Sequence, residues 1–344
     1  MTVSAHTRRA ALAFCGAVAL GALALGSPAL AQSVKARVGV IPIVGAAPLF
    51  VADGEGWLKQ AGVDVATTTF ESGPVMIQAL ASGTIDVYVG GVAPLGVARS
   101  RGVDVKVVAS TATGENVFVA APKLAAYFKD GMKPADAFKA FRAATGKAAR
   151  LATQPAGSVP NTTLQYWLWE VAKVDKADAE VVPMGIDATQ QAVLAEAVDG
   201  AIIREPALTI VQEKSPGTKL VAVGDEMFPG QPGTVVAVSG AFAKANPQAV
   251  QAVVAGVARG ADSLKSDPKS VARHVAAALG KGIVSEATIL KALTSPASKF
   301  ATDPKAIIAP SKAMQAYQVK LGSLKAEVPL DELFDASYYD KLKK

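Results

Sequence analysis

What most constrains this chain is an alternation. Between Val34 and Val238, short β-branched runs keep trading places with longer amphipathic stretches. Val34 to Ile41, Val63 to Phe70, Ile85 to Val89 and Val103 to Ala109 read as strands. Between them Pro48 to Ala61, Pro74 to Ala81 and Val92 to Ser100 carry helical spacing, the first with Leu49, Ala52, Trp57 and Leu58. The rhythm resumes with strands at Ala149 to Thr153, Glu180 to Pro183, Gly200 to Ile203, Lys219 to Val223 and Gly233 to Val238. Helices are expected at Pro160 to Val174, Thr189 to Val198 and Pro206 to Glu213. A parallel pair of strands needs a helix-length crossover, so this order predicts an α/β fold of mainly parallel sheets flanked by helices. Beyond Val238 the pattern turns helical: Asn246 to Leu264, Pro268 to Leu279, Ser285 to Leu293 and Pro304 to Leu321.

The alternation falls into two blocks, and two segments could join them. One is STATGEN, Ser110 to Asn116; the other is DEMFPGQPG, Asp225 to Gly233, dense in Pro and Gly as a linker should be. If both cross, residues 32–113 form the first part of lobe 1 and residues 114–228 form lobe 2. Residues 229–344 then return to lobe 1 and add the C-terminal helices. Lys123 to Lys147 has no evident sheet role and reads as one helix plus loops.

The start of the chain reads differently. Arg8 and Arg9 precede an apolar stretch, Ala11 to Gly26, which ends in SPALAQ with Ala29 and Ala31 spaced for a signal peptidase. Residues 1–31 are expected to be a secretory signal peptide, too short and too rich in Ala and Gly to span a bilayer. Thr7-Arg8-Arg9 also fits a twin-arginine signal loosely, and Phe14 argues against a lipid on Cys15. All 29 acids and 33 of the 35 Lys and Arg lie after Ala31, a mild +4 with no basic block, so nucleic acid is not an expected partner.

That remainder has no cysteine and one histidine, His274 in the amphipathic SVARHVAAAL. Disulfides, thiol catalysis and Cys- or His-built metal sites are therefore not expected, and His274 reads as a surface or helix-end residue. Phosphate-loop, dinucleotide, nucleophile-elbow and zinc-protease motifs are absent from the sequence. Ser266-Asp-Pro-Lys269 matches S-x-x-K but reads as a helix start with Pro268 at N1.

What remains is a set of strand-to-helix turns: Ile41 to Phe50, Glu71 to Pro74, Val89 to Pro94, Gln154 to Thr163, Pro183 to Asp187 and Ile202 to Ala207. In parallel sheets such turns gather at the carboxyl edge, where ligands bind. Glycine lets the backbone approach a ligand, and helix N-termini offer free N–H groups to an anion. Gly157, Ser158 and Thr162 make the best candidate of this kind, although Ser and Thr there also serve as plain helix caps.

GAAPLFVADGEGWLKQAGVDV (Gly45 to Val65) resembles the opening of periplasmic solute-binding proteins of ABC transporters, of the nitrate, sulfonate and taurine type related to thiamine-pyrimidine precursor binders. ALASGTIDVYVGGVAPLGVARSRGVDVKVVAS (Ala79 to Ser110), PAGSVPNTTLQYWL (Pro155 to Leu168) and AVDGAIIREPAL (Ala197 to Leu208) resemble later family segments in the right order, though Gly200 interrupts the last. The resemblance implies a two-lobed periplasmic binding protein of type II, ligand in the inter-lobe cleft, hinge closure, and docking on a membrane permease with its ATPase. It further implies a monomeric, non-enzymatic periplasmic receptor for a small anion such as an organosulfonate, taurine, nitrate or a bicarbonate-like solute, without cofactor or metal. A pyrimidine, flavin or aromatic carboxylate is the alternative ligand, with an enzyme or sensor domain behind it. The family's pyrimidine-synthesising branch uses a cysteine-rich motif that is missing here. Matched positions suggest ligand contacts at Gly45, Ala46, Ser72, Gly73, Gly90, Gly91 and Val92 from lobe 1. From lobe 2 they suggest Gly157, Ser158, Thr162, Met184 and Glu205. Arg204 is open between an anion contact and a surface ion pair, and Asp86 reads as a structural turn residue.

Overall fold

A computed structural model describes residues 33–279 and 284–343. The signal peptide expected over 1–31, with its arginines and Cys15, lies outside them. The described strands are β1 (Val34–Val40), β2 (Val63–Thr69), β3 (Val87–Gly91), β4 (Val105–Ser110), β5 (Ala112–Thr113), β6 (Val117–Ala120), β7 (Ala149–Thr153), β8 (Ala179–Pro183), β9 (Gly200–Ile203), β10 (Lys219–Val223), β11 (Thr234–Ser239) and β12 (Lys299–Phe300). Ten of them build two five-stranded sheets, ordered β2-β1-β3-β11-β4 and β8-β7-β9-β6-β10.

The two orders are the same pattern. In each sheet four strands point one way and one is reversed: β11 runs antiparallel to β3 and β4, and β6 antiparallel to β9 and β10. The remaining pairs are parallel. Each reversed strand follows a crossing from the other sheet, β6 after β4 and the short β5, and β11 after β10. A smaller likeness repeats as well. Asp86 accepts the Arg37 backbone N–H at 3.1 Å and its guanidinium at 2.6 and 2.8 Å. Asp199 accepts the Arg150 N–H at 2.8 Å from the same position of the second sheet. Both aspartates pin the start of a third strand to the first.

Composition explains the layering. β3 and β6 are buried along their whole length, and β11 all but its last residue, so both faces must be covered and the strands read as unbroken apolar runs. Of the ten strands in the two large sheets, β6 is the one that the periodicity did not predict. Its four residues, Val-Phe-Val-Ala, follow STATGEN too closely to stand out. Phe118 on it packs on Trp167 at 4.7 Å and Phe138 at 6.1 Å, the aromatic centre of the second sheet's core.

Two expected helices divide. Gly56 takes φ +74°, which splits Pro48 to Ala61 into Ala47–Gly54 and Trp57–Gln60. The stretch from Pro160 is α-helical over Val159–Tyr166 and continues as a π-helical turn, Trp167–Val171.

In the tail, the helix Pro247–Ser266 buries Val250, Val253, Val254, Val257, Ala261 and Leu264 on one stripe. It crosses Ala47–Gly54 almost backbone to backbone: a Cβ on Gly260 would stand 2.2 Å from the Pro48 carbonyl oxygen. The helix Ile308–Lys320 touches both halves. Gln318 Nε2 donates to the Gly157 carbonyl at 3.2 Å and the Ala93 carbonyl at 3.5 Å, and the Tyr317 hydroxyl donates to the Gln165 carbonyl at 3.1 Å. No described helix is long and apolar enough to cross a membrane. Gly260→Ala should cost about 1–3 kcal/mol by overpacking that crossing, read as a lower urea midpoint with an unchanged slope.

Candidate functional site

The turns that leave the carboxyl ends of the strands meet in pairs. After β1, the Val44 N–H donates to the Glu205 carbonyl, in the turn after β9, at 2.9 Å. After β2, the Glu71 carbonyl accepts from Ile186 N at 3.1 Å and its carboxylate from Asp187 N at 3.4 Å, in the turn after β8. After β3, Gly91 lies against Val159, where a Cβ would come within 2.8 Å of a Val159 methyl. All six turns singled out from the sequence therefore converge on one seam, and Val159, Ile186 and Phe228 join the first sheet's apolar cluster across it.

A cavity of about 240 Å³ opens on this seam. Pro42 and Ile43 line it from the first sheet, Ile186, Asp187, Gln190 and Gln191 from the turn and helix after β8, and Arg204 to Ala207 from the turn after β9. A neighbouring cavity of about 390 Å³ is larger but lies to one side, between the ends of β1 and β2 and the helix Pro268–Leu279. His274 borders it and hydrogen-bonds Glu55 at 2.7 Å, a packing contact rather than a bare surface position. The smaller cavity is the candidate site because elements from both sheets build it.

Of the residues named from the sequence, only Arg204 and Glu205 line the cavity. Arg204 is 6% exposed and forms no surface ion pair. Its Nη1 stands 3.5 Å from Glu115 Oε1, and its Nη2 donates to Gln154 Oε1 at 3.3 Å. Glu115 Oε1 also accepts from the Thr234 hydroxyl at 2.7 Å, while Glu115 Oε2 is buried without a partner. Glu205 turns its carboxylate onto the helix Ala207–Lys214: Oε2 accepts from Thr209 N and Oε1 from the Thr209 hydroxyl, both at 3.0 Å. Burial raises the Glu205 carboxyl above its ordinary range, against hydrogen bonds from Ser295 and Thr209 that pull it down.

The other named residues do not line the cavity. Gly45 sits against Glu115, and Ala46 is buried with it. Ser72 is buried at the start of the helix Gly73–Ala81 with its hydroxyl unpartnered. Gly73 leaves room for the Tyr88 hydroxyl, which donates to the Gly91 carbonyl at 2.8 Å. Gly90 faces Met76, Val92 lies in the apolar cluster, and Met184 donates its N–H to the Thr153 carbonyl at 2.7 Å. The anion cradle expected at Gly157, Ser158 and Thr162 is taken up by the chain itself. Gly157 (φ +84°) gives its carbonyl to Gln318, the Ser158 hydroxyl accepts from Asn161 N at 3.2 Å, and the Thr162 hydroxyl donates to the Ser158 carbonyl at 2.9 Å. The sequence reading overlooked Glu115, Gln154, Thr234 and Gln190. Among the described residues no group of three or more His, Cys, Asp or Glu could hold a metal ion.

The fold is that of the periplasmic binding proteins. Similar solved structures include the alkanesulfonate-binding protein of Xanthomonas axonopodis pv. citri bound to MOPS, at TM-score 0.70 and 20% identity over 89% of this chain and 99% of that one. The periplasmic nitrate-binding protein of Synechocystis PCC 6803 aligns at TM-score 0.76 and 14% identity over 90% and 88%. In sequence, a Brucella abortus protein provisionally named a binding protein is 26% identical over 330 residues, 94% of this chain and 97% of its own. The chain belongs to the NMT1-like family, whose profile matches residues 30–280.

Two substitutions test these local roles. Ser158→Ala should cost about 1 kcal/mol through loss of the cap, measured by chemical denaturation. Glu205→Gln bears on pH. A raised native carboxyl stabilises the fold while protonated, fully below the ordinary carboxylate range, and loses that contribution as pH rises through the folded value. Melting curves from acid to neutral pH should therefore fall more steeply for the native chain than for the Gln variant.

Proposed function

We propose that this chain is the substrate-binding receptor of an ABC importer, working in the periplasm and handing a small solute to a membrane permease with its ATPase. The observation that carries the reading is the cavity at Arg204, lined by the turns that follow strands of two sheets of identical order, which two crossing segments join. A solute there touches both halves at once, so its binding energy favours the closed arrangement. The two crossing segments are the natural hinge. The neighbours named as periplasmic sulfonate- and nitrate-binding proteins support the compartment and the role. Of the cavity's ionisable groups, Glu205 is committed to Thr209 and Arg204 to Glu115, which leaves Asp187 as a lone acid and speaks against a paired acid and base.

For the ligand, Arg204 favours the oxyanion expected from the resemblance. Glu115 favours the other class, an uncharged ring such as a pyrimidine or a flavin, since it already cancels the Arg204 charge. Asp187 on the same cavity adds a second reason. We adopt the uncharged solute as the better reading and the small oxyanion as the second.

The mature chain should be screened by thermal shift against methanesulfonate, taurine, nitrate, bicarbonate, cytosine and riboflavin, with mass spectrometry of any co-purified molecule. A true ligand at 100 times its Kd should stabilise by about 2.7 kcal/mol. Arg204→Gln should weaken that ligand at least about tenfold. If nothing shifts the melting curve and nothing co-purifies, the receptor reading fails.

A further inference from the structure

We propose that Glu115 is the charge filter of the cleft: by neutralising Arg204 from the crossing segment, it turns away small oxyanions and selects solutes that are uncharged or carry an amine. This rests on the receptor reading above, and it names what decides the charge of the solute.

The geometry has three parts. First, both side chains are buried, Glu115 at 3% and Arg204 at 6% exposure, so water does little to screen the pair. Second, the carboxylate is held from outside the cavity. Thr234, at the start of β11, donates to the same Oε1 that faces Arg204, so the two crossings between the sheets fix Glu115 jointly. Third, Gly45 makes the place: a Cβ there would stand 2.1 Å from Glu115 Oε2, and any other residue would push the carboxylate out.

The contact is single and long, 3.5 Å, not a two-pronged grip. Arg204 thus borders the cavity as a donor whose charge is already matched. The other ionisable groups bordering the cavity, Asp187 and Glu205, are acids. An oxyanion entering would meet a compensated guanidinium flanked by carboxylates. A ring nitrogen or carbonyl would find a donor in Arg204, and an amino group an acceptor in Asp187.

The test is calorimetric titration of methanesulfonate and nitrate, with cytosine as the uncharged probe, into the mature chain, Glu115→Gln and the double variant Glu115→Gln/Arg204→Gln. Circular dichroism checks folding. The expected pattern is negligible oxyanion binding by the native chain, a gain of at least about tenfold in Glu115→Gln, and loss of that gain in the double variant. Tight methanesulfonate or nitrate binding by the native chain overturns the proposal, and so does a folded Glu115→Gln with no gain. If Glu115→Gln unfolds for want of a counter-charge, millimolar methanesulfonate should restore its circular dichroism by taking the carboxylate's place, and failure to do so also overturns it. The receptor reading fails separately, when the native chain binds neither class and carries no co-purified solute.

Discussion

The two stretches of chain that cross between the sheets hold each other, and the seam exists because they do. Gln231 Oε1 accepts from both the backbone N–H and the side-chain amide of Asn116, at 2.8 and 2.9 Å, and Gln231 Nε2 returns a bond to the Gly224 carbonyl at 3.0 Å. Thr111 N–H donates to the Thr234 carbonyl, Gly114 N–H to the Gln231 carbonyl and Gly224 N–H to the Asn116 carbonyl. Asn116, Gln231 and Thr234 are fully buried, so each of these bonds replaces one that water can no longer make. Without this braid the reversed strands would not enter their sheets in register, and the turns would not face one another.

The same braid holds the carboxylate that faces Arg204 at the border of the cavity. Glu115 lies within it, one residue before Asn116, and Thr234 opens the strand that leaves it. A buried ion pair adds little net stability, but removing one partner costs roughly 3–5 kcal/mol because the other charge is left unsolvated. Arg204 and Glu115 therefore constrain each other more than they stabilise the fold. A segment that looks like a linker in the primary sequence thus contributes the carboxylate that pairs with Arg204.

Much of the architecture was legible because it depends on periodicity and punctuation. β1, β2, β7, β8 and β9 follow from short β-branched runs, and the six turns from Gly and Pro at their ends. β6 was not, since four apolar residues after a polar loop carry no measurable period. The break at Gly56 was missed because glycine is tolerated inside a helical pattern, and its left-handed φ is set by tertiary packing. The site was read less well, for a chemical reason. The positions of Gly157, Ser158 and Thr162 were found, but their use was not: the Ser158 hydroxyl caps its own helix through Asn161, three residues on, while the Gly157 carbonyl is taken by Gln318, 161 residues away and out of reach of any local pattern. Glu115 was invisible for the same reason: burial of an isolated acid is decided by Thr234 and Arg204, which lie 119 and 89 residues away.

The late return of β11 to the first sheet also orders events in time. The second sheet is drawn entirely from residues 117–223, so everything it needs is present once β10 has been made. The first sheet has to wait. β11 lies between β3 and β4, and until residues 234–239 arrive those two strands have no partner on their facing edges. A chain emerging from its N-terminus thus carries two open strand edges through the synthesis of more than a hundred further residues. Open edges are where strands of different molecules pair, and distant pairings are slow to form. Of the ten strands in the two large sheets, the last to be made is thus the one that closes the first sheet, and the unfinished chain must be kept from pairing with others until it does.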